Sequence, residues 1–496
     1  MITQILKNDY TDFLKVRSLV EILIVFSLLT AGQIRAQEAI YARPDEEYMD
    51  ANLKEKYSDI EQDTLKFLDE HRSSVTGLVE SYQNSSLYYY IPAEGTFEKG
   101  HEPHLARQSF TYDIATAAII YSACGEQKKA RQILDNMQKE FYRPKNGAPG
   151  LYTSYLSDQV DENDNLVIGI DGDRVHVGPT MWVALATIQY IRITGDGSYL
   201  PWVIDMAKWV STLPHFIFKD NQKGAVSMGH GWGPDWSQVY STENCIDYYS
   251  ILFILKNVCK QCSDKVKQEF VDRGLTDKVI SREIAGLERW FKEVAYNKDT
   301  GGFNAGYNEN GIDRTKALDT VSNSLSVIGP VRLAQWGIDP FRLIEFAEKD
   351  LMIKDTIKGK SVEGFDFTIP EEIGNPRRRL IWIEGTAQMV LAYKIMSKYS
   401  SGIGNQTKAE EYKKKAIKIA KELDKIAELV RLPKNALPYT SDNPGDKERL
   451  ITYKYEWEIP RGPDGKWVGS IASTAWRFFS LSYYNPMMLG KIAFKF

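Results

Sequence analysis

Ala115-Thr116-Ala117-Ala118-Ile119-Ile120 is apolar on nearly every side, and just beyond Gly125 the chain continues as Gln127-Lys128-Lys129-Ala130-Arg131-Gln132, with a charged face. A helix apolar all round is buried, whereas one with a polar stripe lies at the surface. These segments therefore predict a helical hairpin with an inner and an outer member, about 107–123 with 126–141. The same asymmetry recurs: Met181-Trp182-Val183-Ala184-Leu185-Ala186 is of the inner type and Lys413-Lys414-Lys415-Ala416-Ile417-Lys418 of the outer type. Apolar periodicity and the Gly, Pro and Asn loops divide the rest into 178–194 with 199–212, 241–259 with 264–296, 319–336 with 340–353 and 379–398 with 407–430. A sixth inner segment spans 470–483, and an additional helix is expected over about 59–83. Six alternations at a loose period of one hairpin plus a variable loop specify an all-α fold, an (α/α)6 toroid. An open solenoid, the structural alternative, normally has shorter and more regular repeats. The expected organisation is a signal peptide at 1–36, a lead-in with the extra helix at 37–104, the barrel at 105–486 and a tail at 487–496.

Composition narrows the function classes. The chain has 496 residues, 43% hydrophobic and 26% charged, with 62 basic against 66 acidic residues and a net charge of −4, which argues against a nucleic-acid footprint. Lys15 and Arg17 precede an apolar run from Ile22 to Ala31 that is too short to span a bilayer, and Ala36 suits a cleavage site. Export to the periplasm or the cell exterior is expected, with no membrane span once the leader is removed. Six His and four Cys leave little material for a metal site, and neither metal nor cofactor is expected. Cys259-Lys260-Gln261-Cys262 reads as an incidental pair or a local disulfide. The 11 Trp and 28 Tyr suit both a core and the stacking of sugar rings.

The long loops all lead from an outer helix to the next inner one, so in a closed toroid they gather at one mouth, where function concentrates. Gly229-His230-Gly231-Trp232-Gly233-Pro234-Asp235-Trp236 is the most unusual. The inner helices begin with Thr111-Tyr112-Asp113, His176-Val177-Gly178-Pro179-Thr180-Met181-Trp182, Ser241-Thr242-Glu243-Asn244-Cys245-Ile246-Asp247, Leu318-Asp319-Thr320, Trp382-Ile383-Glu384-Gly385-Thr386-Ala387-Gln388 and Ala472-Ser473-Thr474-Ala475-Trp476. Acidic residues favour helix starts for purely structural reasons, which fits Asp319 best. Glu384, set in an apolar segment, fits that account least. Glycoside hydrolysis requires two carboxyl groups, held about 6.5–9.5 Å apart in inverting enzymes. Helices pack about 8–10 Å apart, so acids at the starts of adjacent inner helices suit that span. Ring order selects Asp319 with Glu384, or Glu243 with Asp319, as candidate catalytic pairs. Asp113 has no acidic neighbour in the ring and is read as a hydroxyl ligand or a cap. Asp247 lies one turn below Glu243 on the same face. Tyr112, Trp232, Trp236 and Trp382 are candidate stacking platforms, and His176 and His230 candidate contacts.

Tyr112-Asp113, Ser241-Thr242-Glu243-Asn244 with Asp247, Trp382-Ile383-Glu384-Gly385-Thr386-Ala387-Gln388, Ala472-Ser473-Thr474-Ala475-Trp476 and the closing Asn485-Pro486 resemble segments of a bacterial branch of the six-hairpin glycosidase superfamily. The resemblance covers roughly residues 105–486 and implies an (α/α)6 barrel and carbohydrate as substrate. That branch has no assigned reaction, so the resemblance carries over no catalytic residue. Cys245 and Ile246 depart from the Asn- and Leu-like residues expected there.

The remaining signals are weaker. Asp161-Asn163-Asn165 lacks the glycine and the terminal glutamate of a calcium loop and reads as a hairpin turn. His101 and His104 lack a third converging ligand. Arg377-Arg378-Arg379 is a solvated loop or, less in keeping with such runs, a site for an anionic sugar. The expectation is thus a secreted glycoside hydrolase acting on an oligo- or polysaccharide. A polysaccharide lyase or a sugar epimerase using Tyr or His proton transfer, or a non-catalytic glycan-binding protein, are the alternatives.

Overall fold

A computed structural model describes residues 51–83, 88–91, 96–99, 105, 107–144, 148–169, 174–231, 236–373, 378–442, 466–482 and 484–488. The leader read at 1–36, His101, His104, Trp232 and Arg377 lie outside them. Six inner helices form a closed ring: α2 (Thr111–Ala123), α4 (Val177–Thr194), α6 (Thr242–Gln261), α9 (Leu318–Val327), α12 (Ile383–Gly402) and α14 (Ile471–Leu481), each packed on the next and α14 on α2. Their all-round burial matches their composition: every residue of α9 and α14 is buried, as is every residue from Ile383 to Tyr393 in α12. The outer layer comprises α3 (Gln127–Tyr142), α5 (Leu200–Thr212), α7 (Asp264–Asp272), α8 (Asp277–Trp290), α11 (Pro340–Phe346) and α13 (Gln406–Val430). In α3 only Ala130, Ile133, Leu134, Met137, Glu140 and Phe141 are buried, the single stripe expected of a helix with one wet face.

Three expected segments are divided. The helix read at 264–296 is α7 and α8, separated at Gly274 in a left-handed conformation, with a π-helical turn at Phe291–Ala295. The inner segment at 319–336 stops after α9, because Gly329 at φ 79° reverses the chain and Pro330 starts a separate short helix, α10 (Pro330–Gln335). The outer segment at 340–353 passes through a π-helical turn at Ala347–Leu351 into a strand, Met352–Ile357, paired antiparallel with Lys360–Phe365.

The chain ends depart further from expectation. The helix read at 59–83 and placed outside the barrel is α1 (Ala51–Glu70), which packs on α14 as the missing outer member of the sixth pair. Residues 79–83 then fill the seam between the first and sixth pairs: the amide of Ser81 donates to Gln108 O, that of Ile471 to Ser81 O, and that of Gln83 to Gly469 O. The ring is therefore closed by the N-terminal part of the chain, and a barrel boundary at 105 is too late. Of the tail read at 487–496, the first two residues lie within the described chain. Met487 and Met488 are buried beneath the ring, where Gln189 donates to Pro486 O (3.1 Å), Asn485 to Ser326 O (2.8 Å) and the Ser250 hydroxyl to Met487 O.

Gly385 tests the packing at the mouth. A Cβ there would lie 2.1 Å from Trp382 Cε3 and 2.8 Å from Leu318 Cδ2. In a free helix Gly→Ala gains up to about 1 kcal/mol. Here the steric cost reverses the sign, and Gly385→Ala is expected to lose about 1–3 kcal/mol in urea unfolding.

Candidate active site

Each inner helix starts directly from an extended residue: Phe110, His176, Ser241, Ala317, Trp382 and Ser470 all have φ between −69° and −117° and ψ between 109° and 136°. Short pairings hold these lead-ins, among them Phe110 with Ser154, His176 with Gly229, Ser241 with Gly306 and Trp382 with Thr440. All six helix N-termini are consequently presented at one mouth. The second helical positions are Tyr112, Gly178, Glu243, Asp319, Glu384 and Ala472. One turn deeper on the same faces stand Thr116, Trp182, Asp247, Asn323, Gln388 and Trp476.

Hydrogen bonds join these two levels across the ring. The Trp476 indole N–H donates to the Tyr112 hydroxyl (2.5 Å), which donates to Glu384 Oε1 (2.6 Å). Gln388 Nε2 reaches the same oxygen at 3.3 Å, and Ser322 donates to Gln388 Oε1 at 2.7 Å. Trp182 packs edge-on against both Tyr112 (4.8 Å between centroids) and Trp476 (5.9 Å). Helices α2, α4, α9, α12 and α14 thus meet around one carboxyl group.

That group is crowded by other acids. Glu384 is 6% exposed, Asp319 5%, Asp113 3% and Asp247 1%. Burial pushes the Glu384 carboxyl up to about 8, helped by the charges of Asp113 and Asp319 and opposed by the Tyr112 and Gln388 hydrogen bonds. Burial raises Asp113 to about 7 against hydrogen bonds from Ser81 and the Ala472 amide. Asp247 lies well above the usual carboxylate range, again through burial first and the Asp319 charge second. Asp319 is therefore the acid felt by both Glu384 and Asp247.

The other predicted site residues divide. Glu243 is half-buried in the first turn of α6. Trp236 faces His176 at 4.8 Å, with the Arg174 guanidinium over its ring. His176 Nε2 lies 3.0 Å from the Asn244 side-chain amide, and burial lowers the imidazole to about 4. His230 is likewise lowered by burial. Trp382 is a correction: at 5% exposure, edge-packed on Phe367 and wedged against Gly385, it offers no open face to a sugar.

Arg378 and Arg379 are also committed. Arg378 pairs with Asp355 (3.0 Å) and Asp442 (3.4 Å), and Arg379 lies 3.9 Å from Asp366, so neither presents a guanidinium for an anionic sugar. Asp161 accepts from the amides of Asn163 and Asn165 within the hairpin loop. Cys259 and Cys262 are free thiols, so the local disulfide is not formed. Sequence reasoning missed Trp182, Asn323, Gln388 and Trp476 as site residues. Their signal was the four-residue step already used to place Asp247 below Glu243, which applies to every inner helix.

No family model and no curated protein matches the chain. Solved structures do. A sugar epimerase from a ruminal bacterium aligns with a TM-score of 0.50 at 10% identity, covering 86% of this chain and 98% of that one. A glycosidase, solved as point variants, aligns with a TM-score of 0.50 at 9% and 10% identity, covering 88% of this chain and 100% of that one. At these identities the likeness is one of fold: the chain has an (α/α)6 toroid.

The raised Glu384 carboxyl links stability to pH. It ionises more readily in the unfolded chain, so unfolding is favoured as pH rises from its ordinary 4.5 to about 8. Glu384→Gln removes that term. Its stability relative to wild type is expected to increase across this window by a few kcal/mol and to level off above it. Thermal unfolding of both proteins at pH 5 and pH 8.5 measures the difference.

Proposed function

We propose that the chain is an exported glycoside hydrolase that cleaves an oligo- or polysaccharide, with Glu384 as general acid and Asp319 as its partner carboxylate. The observation that carries this reading is a carboxyl group held protonated at neutral pH beside an acid on the neighbouring inner helix. The sugar-active neighbours of the same fold point to the same substrate class. In the reaction Glu384 gives its proton to the glycosidic oxygen as the bond to the anomeric carbon breaks. Asp319 takes a proton from the water that adds to that carbon. The Tyr112 hydroxyl then stabilises the Glu384 carboxylate left behind, and Trp476 holds that hydroxyl in place.

Incubation of residues 37–496 with a glycan panel, followed by mass spectrometry, tests the reading. Products gaining one water are expected, and Glu384→Gln or Asp319→Asn should slow their release about 10²–10⁴-fold. Unsaturated products, or sugars altered without change of mass, would replace hydrolysis with lyase or epimerase chemistry.

The pH profile gives a separate check. Activity is expected to decline above about pH 8 as Glu384 loses its proton. Tyr112→Phe removes a hydrogen bond that favours the anion, so the alkaline limb of kcat/KM should move to higher pH while the maximum rate falls. An unmoved limb would separate Glu384 from the general acid.

A further inference from the structure

Asp247 does something the acid pair does not require. It is 1% exposed, and neither of its oxygens has a hydrogen-bond partner. The Trp182 indole lies close enough to favour its anion without reaching hydrogen-bond geometry. Among the described residues no basic side chain pairs with it. Asn323, at the equivalent depth of the adjacent inner helix, is likewise buried with its carbonyl oxygen unpartnered. Buried polar atoms without partners are rare in folded proteins and call for a specific cause. These three atoms are all acceptors when Asp247 is ionised. They lie one turn below Glu243 and Asp319, with Gly178 at the upper level of the adjoining α4 and Ala472 and Tyr112 at that level across the ring.

A sugar hydroxyl brings one donor, whereas an ammonium group brings three donors, no acceptor and a positive charge. An anionic sugar would meet the Asp319 and Asp247 carboxyl groups, with Arg378 and Arg379 held elsewhere. We infer that the floor of the mouth binds the protonated amine of a hexosamine unit, with Asp247 as its counter-ion and Asn323 Oδ1 as a second acceptor. This rests on the carbohydrate reading of the site and names the substrate class. Burial and the Asp319 charge push Asp247 toward its neutral form and the ammonium group favours its anion, so taking up the amine shifts a proton from Asp247 to solvent.

Calorimetric titration of the full chain near pH 6.5 with glucosamine, a chitosan oligomer, N-acetylglucosamine, glucose and glucuronate tests the inference. The two free amines are expected to bind about tenfold or more tighter than the other three, the scale of one charged hydrogen bond. Titration in buffers of different ionisation enthalpy should show proton release for the amines alone. Asp247→Asn should abolish both the preference and the proton release, while Glu384→Gln keeps them. Equal affinity across the panel, no measurable binding by either amine at millimolar concentration, or a preference that survives Asp247→Asn would overturn it. Amine-selective binding without hydrolysis of any glycan would remove the proposed reaction and leave this inference standing.

Discussion

The Tyr112 hydroxyl is bonded on both sides, accepting from Trp476 and donating to Glu384, and so ties together three inner helices that are far apart in the chain. One oxygen in that position fixes the spacing of α2, α12 and α14 at the mouth. Gln388 and Ser322 extend the connection to α9. Loss of any link would leave a buried polar group unsatisfied, at a cost of about 1–3 kcal/mol. The network therefore holds the mouth in register as well as tuning the Glu384 proton.

Six helix starts converging on one mouth account for how so many acids are tolerated there. Each start carries roughly half a positive charge, effective only within the first turn. Glu243, Asp319 and Glu384 occupy second positions and Asp113 a third, all inside that range. Asp247 is a full turn deeper, beyond the reach of the unpaired amides. Burial and the charge of its neighbour Asp319 outweigh the nearby Trp182 indole, so Asp247 is displaced well upward from the usual carboxylate range. Burial comes first in displacing Asp113, Asp247 and Glu384 alike, and the positive helix starts do not cancel it.

The fold was legible because the inner helices are apolar all round and the outer ones striped, a contrast that survives in single segments such as 115–120 and 127–132. What escaped reading depends on contacts between distant residues. Nothing local marks Ala51–Glu70 as the partner of Ile471–Leu481, and only ring closure brings them together. The strands Met352–Ile357 and Lys360–Phe365 were not read: the helical segment at 340–353 takes in the start of the first, and the second falls in the loop after it. Their turn is made by Lys358 and Gly359, both at positive φ, and lysine is not a residue that announces such a turn. The acids at helix starts were visible from spacing. The bond from Tyr112 to Glu384 was not, since its partners are 272 residues apart. Trp382 was misread for a related reason: an aromatic beside an acid suggests stacking, but Gly385 leaves a space that the indole fills.

The two chain ends show why the site requires the whole ring. The upstream segment seals the seam between α2 and α14 on the side where Ser81 bonds Asp113. The segment Tyr484–Met488 closes the opposite end, with Tyr484 bonded to Gln189 (2.7 Å) and Asn485 to Ser326. Both closures exclude water from the ring interior. Desolvation is the largest influence on Asp113, Asp247 and Glu384 alike. A ring opened at either place would admit water, return these carboxyl groups toward their ordinary range and remove the protonated acid. The terminal segments thus govern the chemistry of the site, Asp113 by direct contact through Ser81 and the deeper carboxyl groups through the dielectric environment they enforce.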